Sequence, residues 1–307
     1  MYMLFLLVAL SHHPGGILSN EPAGADSVPR VVFEADAPRV RKGIVYAERD
    51  GFPERLTSLD IYRPSAQAEG SGARPILVFV HGGAWAFGDK RSVNTLPQWC
   101  EREGWILVSL NYRLSPKVIH PEHARDVAAG LAWVFEHAEE FGGDPERVVL
   151  MGHSAGAHLA GIVATDPDLL GEVDHAPTEL AGVVLLDGGS YDIAAQLGSK
   201  WLGATRRRML EGAFGTDKQV WVEASPMIQA KSAKALPPVL AVYAGNRARS
   251  RIESKKLVEI WKSRSPRAQT HHAPNKNHAG INRLLGTEGD PDTEAVEKFL
   301  KWAFGRK

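Results

Sequence analysis

The stretch VLMGHSAGAHLAG, residues 149–161, sets a serine between two glycines where an apolar run gives way to small residues. It overlaps RVVLM (147–151), which reads as a buried strand, and runs into AHLAGIVA, whose small side chains let a helix pack tightly against a sheet. Strand, tight turn and helix arrive in the order a nucleophile elbow requires. Such a turn holds its serine in a strained conformation with the hydroxyl projecting from the sheet, and Gly152 and Gly156 avoid the collisions larger side chains would cause. Ser154 is therefore the candidate nucleophile.

Outward from this point, the chain alternates short apolar runs with amphipathic stretches, the signature of a mostly parallel sheet covered by helices. PILVFV (75–80), WILVSL (105–110), RVVLM, GVVLL (182–186) and PVLAVY (238–243) are near-continuous apolar runs, as expected of strands buried on both faces. GIVYAE and TSLDIY read as an opening hairpin at one sheet edge. Val127, Leu131, Val134, Phe135 and Ala138 repeat at helical spacing, as do Val296, Phe299, Leu300 and Ala303, with Asp290 and Pro291 as cap and first turn of the last helix. The expected class is α/β, with residues 36–307 as one domain and the Gly-, Ser-, Arg- and Trp-containing interval 188–236 as a cap-like insertion over one end of the sheet.

Residues 1–35 are set apart from the fold. Their first ten positions are apolar, too few to span a bilayer but close to the core of a signal peptide, with Ala23 and Ala25 offering a small-residue cleavage site. The segment lacks the basic start of a signal peptide; on its apolar core and cleavage-like site the expectation is nonetheless a secreted or periplasmic protein, with a cytoplasmic one as the alternative. The 36 basic and 36 acidic residues balance, so no net field favours nucleic acid or an anionic membrane, and a small molecule is the expected partner. Cys100 is the only cysteine, with no second thiol and no metal-ligand spacing around it.

A serine attacking a carbonyl creates an oxyanion that preorganised N–H groups must receive. HGGAW, His81 to Trp85, follows PILVFV directly, and its paired glycines keep the backbone of Gly82, Gly83 and Ala84 open to a substrate oxygen; the N–H of Ala155 supplies the other donor. A general base is needed too. Of twelve histidines, His278 stands after the last strand and before the final helix, where a base belongs when the order is serine, acid, histidine. His271 and His272 lie inside the weak last strand and read as structural. His120, His123 and His153 are pocket candidates without metal-ligand partners, and Trp85, Tyr191 and Trp201 hint at an aromatic lining.

With these motifs in place, the chain resembles the α/β-hydrolase superfamily, and within it the small carboxylesterase branch of feruloyl esterase-like and aryl formamidase-like enzymes. The resemblance runs from about residue 40 to 304 and rests on HGGAW, LNYRLSP (110–116), FGGDPERVVLMGHSAGAHLA (141–160), DGGSYDI (187–193) and NHAGINRLLGTEGDP (277–291), in that order. It implies hydrolysis of small acyl esters through an acyl-serine, without metal or organic cofactor. It carries the nucleophile to Ser154, the base to His278 and the oxyanion donors to Gly82, Gly83, Ala84 and Ala155.

In such enzymes the triad acid usually follows the strand read here as PVLAVY. The loop there, AGNRARSRIES (244–254), contains no Asp, and register places Arg249 at the expected position, with Ala248 second. An arginine facing His278 would oppose the imidazolium that forms during attack. Asp187, directly after GVVLL, is the favoured substitute, and Glu253 is another; Asp60, Asp126 and Asp192 read as backbone anchors. A slow serine–histidine dyad, a binding protein on a hydrolase scaffold and an amidase for N-formyl aromatic amines stand as alternatives.

Overall fold

Strands that are apolar at every position need cover on both faces, and the sheet in this chain receives it. The computed structural model describes residues 39–65, 72–245 and 247–306; the signal-like segment lies outside them. Eight strands, β1 (Val40–Val45), β2 (Ser58–Tyr62), β3 (Arg74–Val80), β4 (Ile106–Leu110), β5 (Gly143–His153), β6 (Gly182–Leu186), β7 (Val239–Ala244) and β8 (Ala268–Ala273), form one sheet in the order β1-β2-β4-β3-β5-β6-β7-β8. The β1–β2 and β2–β4 pairs are antiparallel and the others parallel, so the opening hairpin sits at the sheet edge as its sequence implies.

The helices are α1 (Leu96–Glu103), α2 (Glu122–His137), α3 (Ala155–Thr165), α4 (Pro167–Gly171), α5 (Ile193–Gly198), α6 (Ala204–Phe214), α7 (Lys218–Glu223), α8 (Pro226–Ser232), α9 (Ala248–Trp261), α10 (Gly280–Arg283) and α11 (Pro291–Phe304). Period-two alternation of the strands divides the core in two. Leu77, Phe79, Val149 and Met151 point to one face, against Trp99 of α1 and Phe299 of α11. Ile76, Val78, Val148 and Leu150 point to the other, against Leu131 of α2, Leu159 of α3 and Leu257 of α9. Each such buried aliphatic side chain stabilises the fold by about 2 kcal/mol over its exposed state. Asp290 caps α11 by accepting from the Thr293 N–H at 2.9 Å, with Pro291 in the first turn.

This arrangement positions the site. The parallel strands β5, β6 and β7 are neighbours, so their carboxyl ends place residues 154, 187, 245 and 247 side by side. The interval 188–236 folds into α5 to α8. Cys100 is buried in α1, and burial pushes its thiol pKa well up, which leaves it a small hydrophobe.

Candidate active site

Ser154 occupies the turn between β5 and α3 with φ 57° and ψ −115°, a conformation costly for any residue with a Cβ. The fold holds it there because Gly156 lies against β3: a Cβ on Gly156 would sit 2.2 Å from the Val80 carbonyl oxygen. The Ser154 N–H donates to the Leu186 carbonyl at 2.9 Å, which ties the turn to the end of β6. The side chain of His278, in the turn between β8 and α10, brings Nε2 to 2.9 Å from Ser154 Oγ and Nδ1 to 2.7 Å from Asp187 Oδ2. With the proton on Nδ1, the ring donates to the carboxylate and leaves Nε2 free to accept the serine hydroxyl.

Asp187 follows β6 directly, and its carboxylate is fully buried. Burial pushes its pKa up. Donors more than offset that: His278, the Ser250 hydroxyl at 2.5 Å from Oδ1 and the Ala244 N–H at 3.0 Å, together with the Arg247 charge, hold the carboxyl below its usual range. The end of β7 and the first turn of α9 thus contribute donors to a carboxylate carried one strand earlier.

The expected register of that loop needs correcting. Arg247, not Arg249, stands against the histidine: its Nη1 touches both Asp187 Oδ2 and His278 Nδ1. Strand β7 continues to Ala244, the chain turns at Gly245 with φ 37°, and α9 begins at Ala248, so residue 247 lies at the strand tip. Arg249 sits in the first turn of α9, half exposed, with Nη1 3.9 Å from Glu253 Oε1. Glu253 itself accepts from the Tyr191 N–H at 2.7 Å and from Gln196 Nε2 at 2.6 Å, away from the histidine. Asp60 pairs with Lys90, Asp126 with Arg113, and Asp192 caps α5, so each anchors structure.

The HGGAW segment forms a tight loop after β3. Gly83 has φ 127°, and a Cβ there would sit 2.0 Å from the Phe87 carbonyl oxygen, so only glycine fits. Ala84 and Trp85 also have positive φ, 51° and 60°. Gly82, Gly83, Ala84 and Ala155 line one cavity of about 680 Å³ together with Ser154, Asp187 and His278. Ala155 is the first residue of α3, and the N–H groups of a helix's first turn have no partner within the helix.

The other expected pocket residues divide. Trp85 lines the cavity and is buried, its Nε1–H donating to His158 Nδ1 at 3.3 Å. His153 lines it too, with Nε2 2.9 Å from the His278 carbonyl oxygen and its ring centroid 4.7 Å from that of His278. Tyr191 does not. The turn after Asp187 directs its ring into the core, where the phenol packs against Gly188 and reaches within 3.8 Å of where a Gly161 Cβ would lie. Trp201 is 84% exposed and borders a separate cavity of about 490 Å³ with Arg249 and Glu253. His120 and His123 are buried, the latter beside Ser115 Oγ at 2.9 Å. Ser250, Arg247 and Arg206 are site residues that the sequence pattern did not single out. Nothing in the composition of AGNRARSRIES (244–254) marks Ser250 as a hydrogen-bond donor to Asp187; only the register of α9 does.

The buried histidines give a pH prediction. Burial first, then neighbouring cationic groups, push His120 and His123 down to about 3 and His153 to about 4, and burial pushes His158 to about 4. In the unfolded chain each returns to about 6.5. Their folded values are depressed, so the stability they carry is present above about pH 6.5 and is lost as pH falls toward 4. Glu253, held up to about 7 by burial, opposes with one proton between pH 7 and its ordinary value. Unfolding therefore takes up protons between pH 6 and 5, and stability falls as pH is lowered through that range. Urea midpoints should fall steeply over that unit of pH; midpoints independent of pH there would contradict the assignment of neutral buried imidazoles.

Comparison with known proteins places the chain among esterase-like relatives. The BD-FAE family model matches residues 59–247. The carboxylic ester hydrolase LipM, described as probable, from Mycobacterium tuberculosis (strain ATCC 25618 / H37Rv), is 33% identical over 199 residues, which cover 62% of this chain and 45% of LipM. Esterase LipQ from the same organism is 30% identical over 264 residues, 82% of this chain and 61% of LipQ. The chain therefore spans less than two thirds of either relative. Among solved structures, a truncated carbohydrate esterase from gut microbiota superposes with a TM-score of 0.70 at 18% identity, over 87% of this chain and 96% of that one. At that identity the likeness is one of fold.

Proposed function

Because the chain belongs to the BD-FAE family of α/β-hydrolase-like proteins, we propose that it is a serine carboxylesterase that hydrolyses small acyl esters through an acyl-serine at Ser154. The observation that carries this reading is the continuous hydrogen-bond chain from Ser154 Oγ through His278 to Asp187, with heavy-atom separations of 2.9 and 2.7 Å. In this reading Ser154 Oγ attacks the ester carbonyl carbon while its proton passes to His278 Nε2. The carbonyl oxygen, now an oxyanion, is received by backbone N–H groups of Ala155 and the Gly82–Ala84 loop. His278 then gives the proton to the departing alcohol, and the C–O bond to it breaks. Water, deprotonated by the same nitrogen, attacks the acyl-serine and releases the acid.

Asp187 is the acid in this reading. It fixes the Nδ1–H tautomer and stabilises the imidazolium, which the adjacent Arg247 charge would otherwise disfavour. Helices α5 to α8 are the cap, since α6 contributes Arg206 and Met209 to the cavity wall. Acid quenching during turnover of p-nitrophenyl acetate, followed by peptide mass spectrometry, tests the intermediate. Acetyl should be found on the Ser154 peptide; turnover with acetyl on another residue would overturn the proposal.

A further inference from the structure

We infer that the cavity selects esters carrying a carboxylate group, with Arg206 as the anion's anchor; this deepens the ester-hydrolase reading and rests on it for turnover, though not for binding. The charged side chains lining the cavity are three arginines, Arg206, Arg247 and Arg283, against a single carboxylate, Asp187. That carboxylate is already engaged by His278, Ser250 and Arg247. A surplus of fixed positive charge therefore faces the space in which substrate must sit.

Arg206 is the member built for the purpose. It extends from α6, is half-buried, and its guanidinium is held by neutral acceptors: the Gly189 carbonyl at 2.8 Å, Ser190 Oγ at 3.1 Å and Gln196 Oε1 at 2.6 Å. All these bonds use Nε and Nη2, which leaves Nη1 without a hydrogen-bond partner among the described residues. No carboxylate oxygen of the described residues forms an ion pair with Arg206, while Arg247 and Arg249 repel it and Glu253 offsets them in part. Holding a desolvated cation near others is costly, and an anion in the cavity removes that cost through charge-assisted hydrogen bonds. Arg247 is committed to Asp187 and Arg283 is exposed, so neither matches Arg206 as anchor.

Two matched substrate pairs test the inference, one with the carboxylate on the alcohol side and one on the acyl side. They are 4-acetoxybenzoate beside methyl 4-acetoxybenzoate, and monomethyl adipate beside methyl hexanoate, followed by pH-stat. At least one anionic ester should exceed its neutral counterpart in kcat/KM by about tenfold, and Arg206→Gln should remove most of that ratio, with Arg206→Lys keeping part of it. Neutral esters preferred in both pairs, or a ratio unchanged by Arg206→Gln, would overturn the inference. Calorimetric titration of 4-acetoxybenzoate into Ser154→Ala, with and without Arg206→Gln, separates the two readings. If no ester turns over but 4-acetoxybenzoate binds and Arg206→Gln abolishes binding, the anion site stands and the hydrolase reading falls. Turnover of neutral esters with no binding of the carboxylate has the opposite meaning.

Discussion

Ser154→Ala should lower kcat for p-nitrophenyl acetate by about 10⁶-fold, to the residual rate that oxyanion donors and binding alone sustain. The expectation is this large because the groups act as one unit: without Oγ, His278 Nε2 at 2.9 Å has no nucleophile to deprotonate. The Ala155 N–H and the Gly82–Ala84 loop, the proposed oxyanion donors, remain at the cavity wall. Folding should be little affected, since φ 57° is imposed by the packing around the turn and both residues carry a Cβ. A stopped assay over hours measures the remainder. A loss below about tenfold would move the chemistry away from the elbow.

Asp187→Asn should cost about 10⁴-fold in kcat with little change in geometry. An amide can present its NH₂ to His278 Nδ1, which favours the tautomer with the proton on Nε2, the wrong nitrogen for accepting from Ser154. It also removes the negative charge that balances Arg247 beside the ring. The contrast is Arg249→Asp. Arg249 faces Glu253 on a half-exposed turn of α9, so a carboxylate there has no path to His278, and kcat should stay within about threefold. Were Arg249→Asp to raise turnover by orders of magnitude while Asp187→Asn left it unchanged, the acid would belong in the loop after β7.

Much of this was legible in the chain itself, for a physical reason. Strands covered on both faces leave no polar alternation, so PILVFV, RVVLM and GVVLL stand out as β3, β5 and β6. The tight turn at Ser154 is legible because its glycines are forced: residue 156 lies so near the Val80 carbonyl that no Cβ fits. The carboxylate that pairs with His278 was harder to place. An Asp at the end of β6 and a residue in the loop after β7 approach the same histidine in space, and one-dimensional spacing does not say which. The two-residue difference between Arg249 and Arg247 has a simpler source: the chain turns at Gly245 and α9 begins as early as Ala248, so position 249 already lies inside the helix and Arg247 is left at the strand tip. Tyr191 misled because an aromatic in a Gly-rich loop serves a core or a pocket equally well until the chain direction after Asp187 is known. Arg206 left no signal, since an arginine on an amphipathic helix is ordinarily solvated.

If Ser154 is an activated nucleophile served by His278, diethyl p-nitrophenyl phosphate phosphorylates the protein stoichiometrically. Intact-protein mass should show one diethylphosphoryl group per chain, located on Ser154, absent in Ser154→Ala and formed far more slowly in His278→Ala. A protein left unmodified by excess reagent, or modified equally in Ser154→Ala, would contradict that role.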